Sequence, residues 1–201
     1  MRQQDLSECI KASLQEAQTV LDQFVGDAEN HKIIQKMAEG LAHCFQNGGK
    51  VLACGNGGSA CDALHFAEEF TGRFRDDRKA LPVIPLMEAG HITCVANDYG
   101  YDRVFARGVE AYGKPGDVLV ALSTSGNSAN VIRAVEVAKQ SQLLVYLLIG
   151  KEGGKLLGQG DCELRVKSKS TERIQEVHMA SLHVLIEMVE RIMFPDNYTR
   201  K

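Results

Sequence analysis

Five short apolar runs alternate along the chain with segments of helical periodicity: Lys50 to Cys54, Pro82 to Leu86, Asp117 to Leu122, Leu143 to Ile149 and Cys162 to Val166. Strands separated by helices cannot pair as hairpins, so this order predicts a parallel sheet. Taken as a set, the runs are apolar at successive rather than alternate positions, which is expected when helices cover both faces of the sheet. The intervening helices are expected over Ala60 to Gly72, Tyr101 to Tyr112 and Ser128 to Gln140, with a short turn near Gly154 to Leu157. A long last helix spans Thr171 to Met193, its apolar side formed by Ile174, Val177, Ala180, Leu182, Leu185, Ile186 and Val189.

Two more helices precede the first strand. Leu6, Ile10, Leu14, Ala17, Leu21 and Phe24 form one amphipathic stripe, and Ile33, Ile34, Met37, Leu41 and Phe45 form another, capped by Asn30 and ended by Gly48-Gly49. A five-stranded sheet with helices on both faces has little room for a further helix. The leading stripe is therefore expected to meet another subunit rather than its own sheet. The whole chain, 1–201, reads as a single α/β domain: residues 1–48 are helices used in oligomerisation, and 49–201 are the core with its long C-terminal helix.

Two of the apolar runs stop at a Gly/Ser-rich loop that opens into a helix. Val51 to Cys54 leads into Gly55-Asn56-Gly57-Gly58-Ser59, and Val118 to Leu122 leads into Ser123-Thr124-Ser125-Gly126-Asn127-Ser128. A strand delivering small residues to a helix N-terminus presents unpaired N–H groups, a positive dipole end and hydroxyls to one spot, which favours an anion. Neither loop has the G-x-G-x-x-G spacing of a dinucleotide site, and no Gly-Lys-Ser/Thr follows as in a P-loop. A smaller phosphate ester, such as a sugar phosphate, fits better.

The net charge of -3 gives no support to a nucleic-acid binder. Six cysteines without C-x-x-C spacing suit a reducing cytoplasm, and Cys61 is expected to pack rather than react. The N-terminus lacks the apolar core of a signal peptide and no stretch reaches transmembrane length, so the chain reads as soluble, unprocessed and without a membrane partner.

Residues able to do chemistry follow the first loop and recur in the last helix. His65 and Glu69 are one turn apart on one helix face that starts at the ligand loop, while Glu68 is the better candidate for the solvated side. Gln175 and His183 share a stripe two turns apart, and His178 is rotated away from it. Spacing alone leaves a plain alternative open for each: a solvated helix charge for Glu69 and a satisfied core histidine in the last helix. An imidazole and a carboxylate facing phosphate loops are, however, the groups needed to move a proton next to a carbonyl.

Gly55-Asn56-Gly57-Gly58-Ser59, His65-Phe66-Ala67-Glu68-Glu69, Ala96-Asn97-Asp98-Tyr99-Gly100, Ser123 to Ser128, and Arg173-Ile174-Gln175-Glu176-Val177-His178 through His183 resemble, in order and spacing, the bacterial phosphoheptose isomerases of the sugar isomerase (SIS) domain family. The resemblance covers nearly the whole chain. It implies a flavodoxin-like SIS fold, a homotetramer with sites between subunits, and aldose-ketose isomerisation of sedoheptulose 7-phosphate to D-glycero-D-manno-heptose 7-phosphate, for lipopolysaccharide core heptose. It makes Glu69 and His183 the acid/base pair, and Ser123, Thr124, Ser125 and Ser128 the phosphate-holding residues. Asn56, Gly57, Gly58, Ser59, Glu69, Asn97, Asp98 and Gln175 would line the sugar. It further implies one zinc per subunit on His65, Glu69, Gln175 and His183. The pattern departs at Met87-Glu88-Ala89-Gly90, where the family carries a segment with Asp, leaving the geometry of this loop open. Two rivals stay open: an isomerase of another sugar phosphate, and a non-enzymatic SIS relative that binds the replication initiator, which the C-terminal Met193-Phe194-Pro195-Asp196 resembles.

Overall fold

The structure is a computed structural model describing residues 5–199. Two N-terminal helices, α1 (Leu6–Val25) and α2 (Ala28–Gln46), precede β1 (Val51–Cys54), α3 (Gly58–Thr71), β2 (Val83–Pro85), α4 (Ala89–Tyr99), α5 (Val104–Tyr112) and β3 (Val118–Ser123). Then come α6 (Ala129–Gln140), β4 (Leu144–Gly150), β5 (Cys162–Val166) and α7 (Thr171–Met193). The strands form the expected five-stranded parallel sheet, in the order β2-β1-β3-β4-β5.

Strand side chains alternate between two cores, because successive Cβ atoms point to opposite faces. Val51, Ala53, Val118, Val120 and Leu122 join α2, α3 and α7 on one face. Leu52, Cys54, Leu119, Ala121, Val145 and Leu147 join α4, α5 and α6 on the other. The central strands are buried at every position, as their unbroken apolar runs require. At the sheet's edge β5 differs: Glu163 and Arg165 alternate with buried Cys162, Leu164 and Val166.

The N-terminal helices divide in a way the sequence did not separate. α2 buries Ile34, Met37, Ala38, Leu41 and Phe45 in the core, so it belongs to the α/β layer itself. Asn30 is not its cap. Asp27 accepts from Glu29 N at 3.1 Å, and the buried Asn30 amide donates to Phe24 O at 2.9 Å, tying the two helices at their junction. α1 lies outside the layers. It is fastened to α7 by polar contacts, Arg173 to Ser13 at 3.2 Å and Ser170 to Glu16 at 3.1 Å, with Phe24 reaching the core. Its apolar stripe is left uncovered, with Ile10 61% and Leu14 67% exposed.

α4 was absent from the sequence reading, because Val95 is the one residue it buries and its periodicity is correspondingly faint. The departure at Glu88 finds its explanation there. The Glu88 carboxylate caps α4, accepting from the Gly90 and His91 amides, and these bonds hold its pKa below the usual carboxylate range.

Candidate active site

The strand order sets the site's position. From β1 the chain crosses outward to β2 and from β3 it crosses the opposite way to β4, so a crevice opens between the loops that follow β1 and β3. The two Gly/Ser loops are those loops. A reciprocal amide pair joins them: Asn56 Nδ2 donates to Asn130 Oδ1 at 2.8 Å, and Asn130 Nδ2 returns the bond to Asn56 Oδ1 at 2.9 Å. Tyr101 OH adds a third bond to Asn56 Oδ1 at 3.0 Å. Neither Asn130 nor Tyr101 was singled out from sequence. A buried Asn in the first turn of a helix, where its amide interrupts an apolar face, is the signal that could have pointed to the former.

The serine loop is pre-shaped by its own hydroxyls. Buried Ser123 Oγ accepts from Gly126 N at 3.1 Å and is hydrogen-bonded to Ser128 Oγ at 3.1 Å, and Ser125 Oγ accepts from Asn127 N at 3.1 Å. Ser123 therefore lies at the base of the loop, while Thr124, Ser125 and Ser128 are partly exposed on it. Ser128 is the N-cap residue of α6, yet its hydroxyl makes no capping bond. The first loop enters α3 through Gly57, whose φ of 56° suits glycine and which likewise offers no side-chain cap. Ser59 is buried within the first turn of α3, as deeply as Ser123 is in the serine loop.

α3 and α7 pack on the same sheet face and bring the chemistry together. His65 Nε2 lies 3.1 Å from Glu69 Oε1 and 3.5 Å from His183 Nε2, and one ligand atom from each of the three residues falls within 4.8 Å of the others. Phe74 stacks on the His183 ring with centroids 5.9 Å apart, fixing the plane of the imidazole. Two imidazole nitrogens and a carboxylate oxygen converging on one point are a donor set that fits a divalent cation such as zinc. The Gln175 amide lies against Gly58: a Cβ added there would stand 2.4 Å from Gln175 Nε2, so glycine makes room for the amide at the mouth of α3.

Neighbouring residues separate as the helical spacing predicted. The Glu69 side chain is 16% exposed against 67% for Glu68. His178 is buried away from the cluster, its Nε2 3.2 Å from Ile149 O. Burial pushes its pKa down to about 4, partly opposed by the bond to that carbonyl, so the ring is neutral and structural. Asp62, one turn before His65, is a feature the sequence did not flag. Burial raises its pKa to about 6, with His65 pulling the other way, and its Oδ2 has no hydrogen-bond partner. Asn97 and Asp98 lie exposed near the end of α4 and bond each other at 2.7 Å, with no contact to the cluster. Cys61 is exposed rather than packed, correcting the expectation for that residue, and Cys44, Cys54 and Cys162 are buried.

Residues 14–150 match the SIS domain family. The chain is 55% identical over 182 residues to a phosphoheptose isomerase of Fusobacterium nucleatum, covering 90% of this chain and 94% of that protein. It is 50% identical over 185 residues to the phosphoheptose isomerase of Proteus mirabilis, covering 92% and 96% respectively. Its structure superposes on a phosphoheptose isomerase from Francisella tularensis with a TM-score of 0.89 at 34% identity, over 93% of this chain and 99% of the other. For the enzyme from Neisseria gonorrhoeae the TM-score is 0.85 at 39% identity, over 92% and 99%.

Proposed function

The chain belongs to the phosphoheptose isomerases of the SIS domain family, and from that premise we propose that the His65, Glu69 and His183 cluster interconverts sedoheptulose 7-phosphate and D-glycero-D-manno-heptose 7-phosphate. The observation that carries this reading is the convergence of an acid/base set from α3 and α7 at the helix that rises from the first loop.

Aldose-ketose isomerisation moves a proton between two adjacent carbons through a cis-enediol, so one group must take a carbon proton while another serves the neighbouring oxygen. Glu69 takes the proton from one carbon and returns it to the neighbouring carbon. His183, stacked against Phe74, gives a proton to the carbonyl oxygen and is replenished by the proton that leaves the adjacent hydroxyl as the new carbonyl forms. His65 holds Glu69 in place through the 3.1 Å contact. The substrate phosphate rests on the Thr124, Ser125 and Ser128 hydroxyls, with Ser123 shaping the loop beneath them. Asn56, Gly57, Gly58 and Gln175 line the opened sugar, and Asn97 and Asp98 reach it at the far rim. His65, Glu69 and His183, with Gln175 as the fourth donor, would hold one zinc per subunit. When bound, zinc supplies Lewis-acid polarisation of the carbonyl oxygen.

The uncovered stripe of α1 supports a homotetramer, with α1 as a subunit contact. The unpaired cysteines support a cytoplasmic setting, and no helix among the described residues is long and apolar enough to cross a membrane. Presence of both Glu69 and His183 in contact range favours catalysis over a binding-only role. Replacing Glu69 by Gln tests the reading: turnover of sedoheptulose 7-phosphate should vanish while binding of the sugar phosphate persists. Near-normal turnover in that variant would overturn it.

A further inference from the structure

The C-terminal turn of α3, which carries Glu69, is closed by a side chain rather than by the usual glycine motif. Helix-terminal carbonyls lack intrahelical donors. Here one guanidinium supplies most of them, with Leu81 N adding a second donor to Phe70 O at 3.0 Å: Arg78 Nη2 donates to Glu69 O at 2.6 Å, and Nη1 donates to Phe70 O at 2.8 Å and Gly72 O at 3.0 Å. Its Nε donates to Glu190 Oε1 at 2.7 Å, in a pair whose side chains are 1% and 2% exposed. Glu190 lies on α7, two turns beyond His183, and its second oxygen accepts from Tyr198 OH at 2.8 Å. Thus a buried ion pair connects the backbone of the residue assigned as base to the helix of the residue assigned as acid.

We infer that Arg78 is a positioning residue for Glu69, locked by Glu190 and Tyr198 so that the separation of Glu69 from His183 is fixed. Net stability alone does not account for the pair, because burying two charges costs about as much as their attraction returns. What the pair supplies is direction. Guanidinium donors lie in one rigid plane and hold several carbonyls in fixed relative directions, whereas an ammonium is a compact charge whose three donors rotate. The C-terminal stretch gains a role as well. Its single turn, Pro195–Tyr198, covers the pair, with Asn197 bonded to Asp77 O at 3.1 Å and the Arg191 guanidinium 4.4 Å above the Tyr198 ring.

The inference rests on the assignment of Glu69 as base, and the experiment separates the two. Arg78→Lys, Tyr198→Phe and Glu69→Gln are each compared with the unaltered enzyme for kcat, KM and thermal midpoint on sedoheptulose 7-phosphate. Since small misplacements of a reacting group cost up to about 10²-fold, Arg78→Lys is expected to lower kcat by about thirtyfold or more, and Tyr198→Phe by about threefold to tenfold. KM should stay within about threefold in both, because the serine loop lies on β3 and α6, away from the ion pair. Unchanged kcat in both variants, or kcat and KM deteriorating together in both, would overturn the positioning role. If Arg78→Lys proves unstable, Tyr198→Phe decides alone, since it keeps the ion pair and removes only one hydrogen bond. An active Glu69→Gln would refute the base assignment instead, an outcome distinct from an inactive Glu69→Gln beside an active Arg78→Lys.

Discussion

His178 provides a measurable test of how α7 is seated on the sheet. The ring is fully buried, one nitrogen meets Ile149 O at 3.2 Å and the other has no partner, so a proton added there would have no compensating acceptor. Its pKa falls from the ordinary 6.5 to about 4. Between those values the unfolded chain binds a proton that the folded chain refuses, so stability falls as the solution is acidified through this window and is fully present above it. At about 1.4 kcal/mol per pH unit, the whole displacement is worth roughly 3 kcal/mol. Asp62 acts with the opposite sign. Its carboxyl is raised from 3.8 to about 6, so the folded state keeps a proton that the unfolded state releases, and acidification favours folding through that group. The unaltered protein therefore reports the two together, and a variant is needed to separate them. His178→Gln retains an N–H donor for Ile149 O and removes the titration. Urea unfolding of both proteins at about pH 7 and about pH 4.5, at one protein concentration because assembly shifts apparent stability, should show the parent losing roughly 2–3 kcal/mol more than the variant. Equal losses in the two proteins would refute the neutral, buried imidazole and with it this account of the α7 contact.

Gly58→Ala should push the Gln175 amide out of its place, since the added Cβ would stand 2.4 Å from Nε2 and a side-chain tip yields before backbone does; kcat is expected to fall by about tenfold with little change in melting temperature, and normal turnover would remove Gln175 from the site. Ser128→Ala deletes a hydroxyl that already lies 3.1 Å from Ser123 Oγ, and the loss of one hydrogen bond to phosphate, about 1–2 kcal/mol, should raise KM roughly tenfold while kcat holds. Ile10→Asp with Leu14→Asp alters largely exposed side chains outside the core, so helicity by circular dichroism should persist while sedimentation shows a smaller assembly; an unchanged mass would exclude the α1 stripe as the contact.

The two Gly/Ser loops were legible as strand-to-helix connections because their signal is local. Small residues after an apolar run announce a strand that ends at a helix N-terminus, wherever the strand later pairs. The helical phase of His65 and Glu69, and the rotation of His178 away from Gln175 and His183, were equally legible, since each depends on one helix alone. Other features gave weak local signals or none. α4 buries Val95 alone and so leaves almost no periodicity, and Asn30 looked like a cap because its backbone context does not reveal that Asp27 already fills that place. Asn130 and Tyr101 owe their roles to Asn56, and Arg78 owes its anchoring to Glu190, partners remote in sequence that nothing adjacent to these residues reveals.

Periodicity by itself determined the strands, most of the helices and the two loops, while the family followed from the resemblance of five motifs, in their order, to known isomerases. Tertiary structure decided which strands are neighbours, and hence that the two loops face each other across one crevice. It also set α3 beside α7, joining His65 to His183 across 118 residues and Arg78 to Glu190 across 112. The physical reason is that local pattern fixes which side of a helix is apolar, whereas its neighbour and its height along that neighbour come from packing both helices on a shared sheet face, with the buried Arg78–Glu190 pair holding the register.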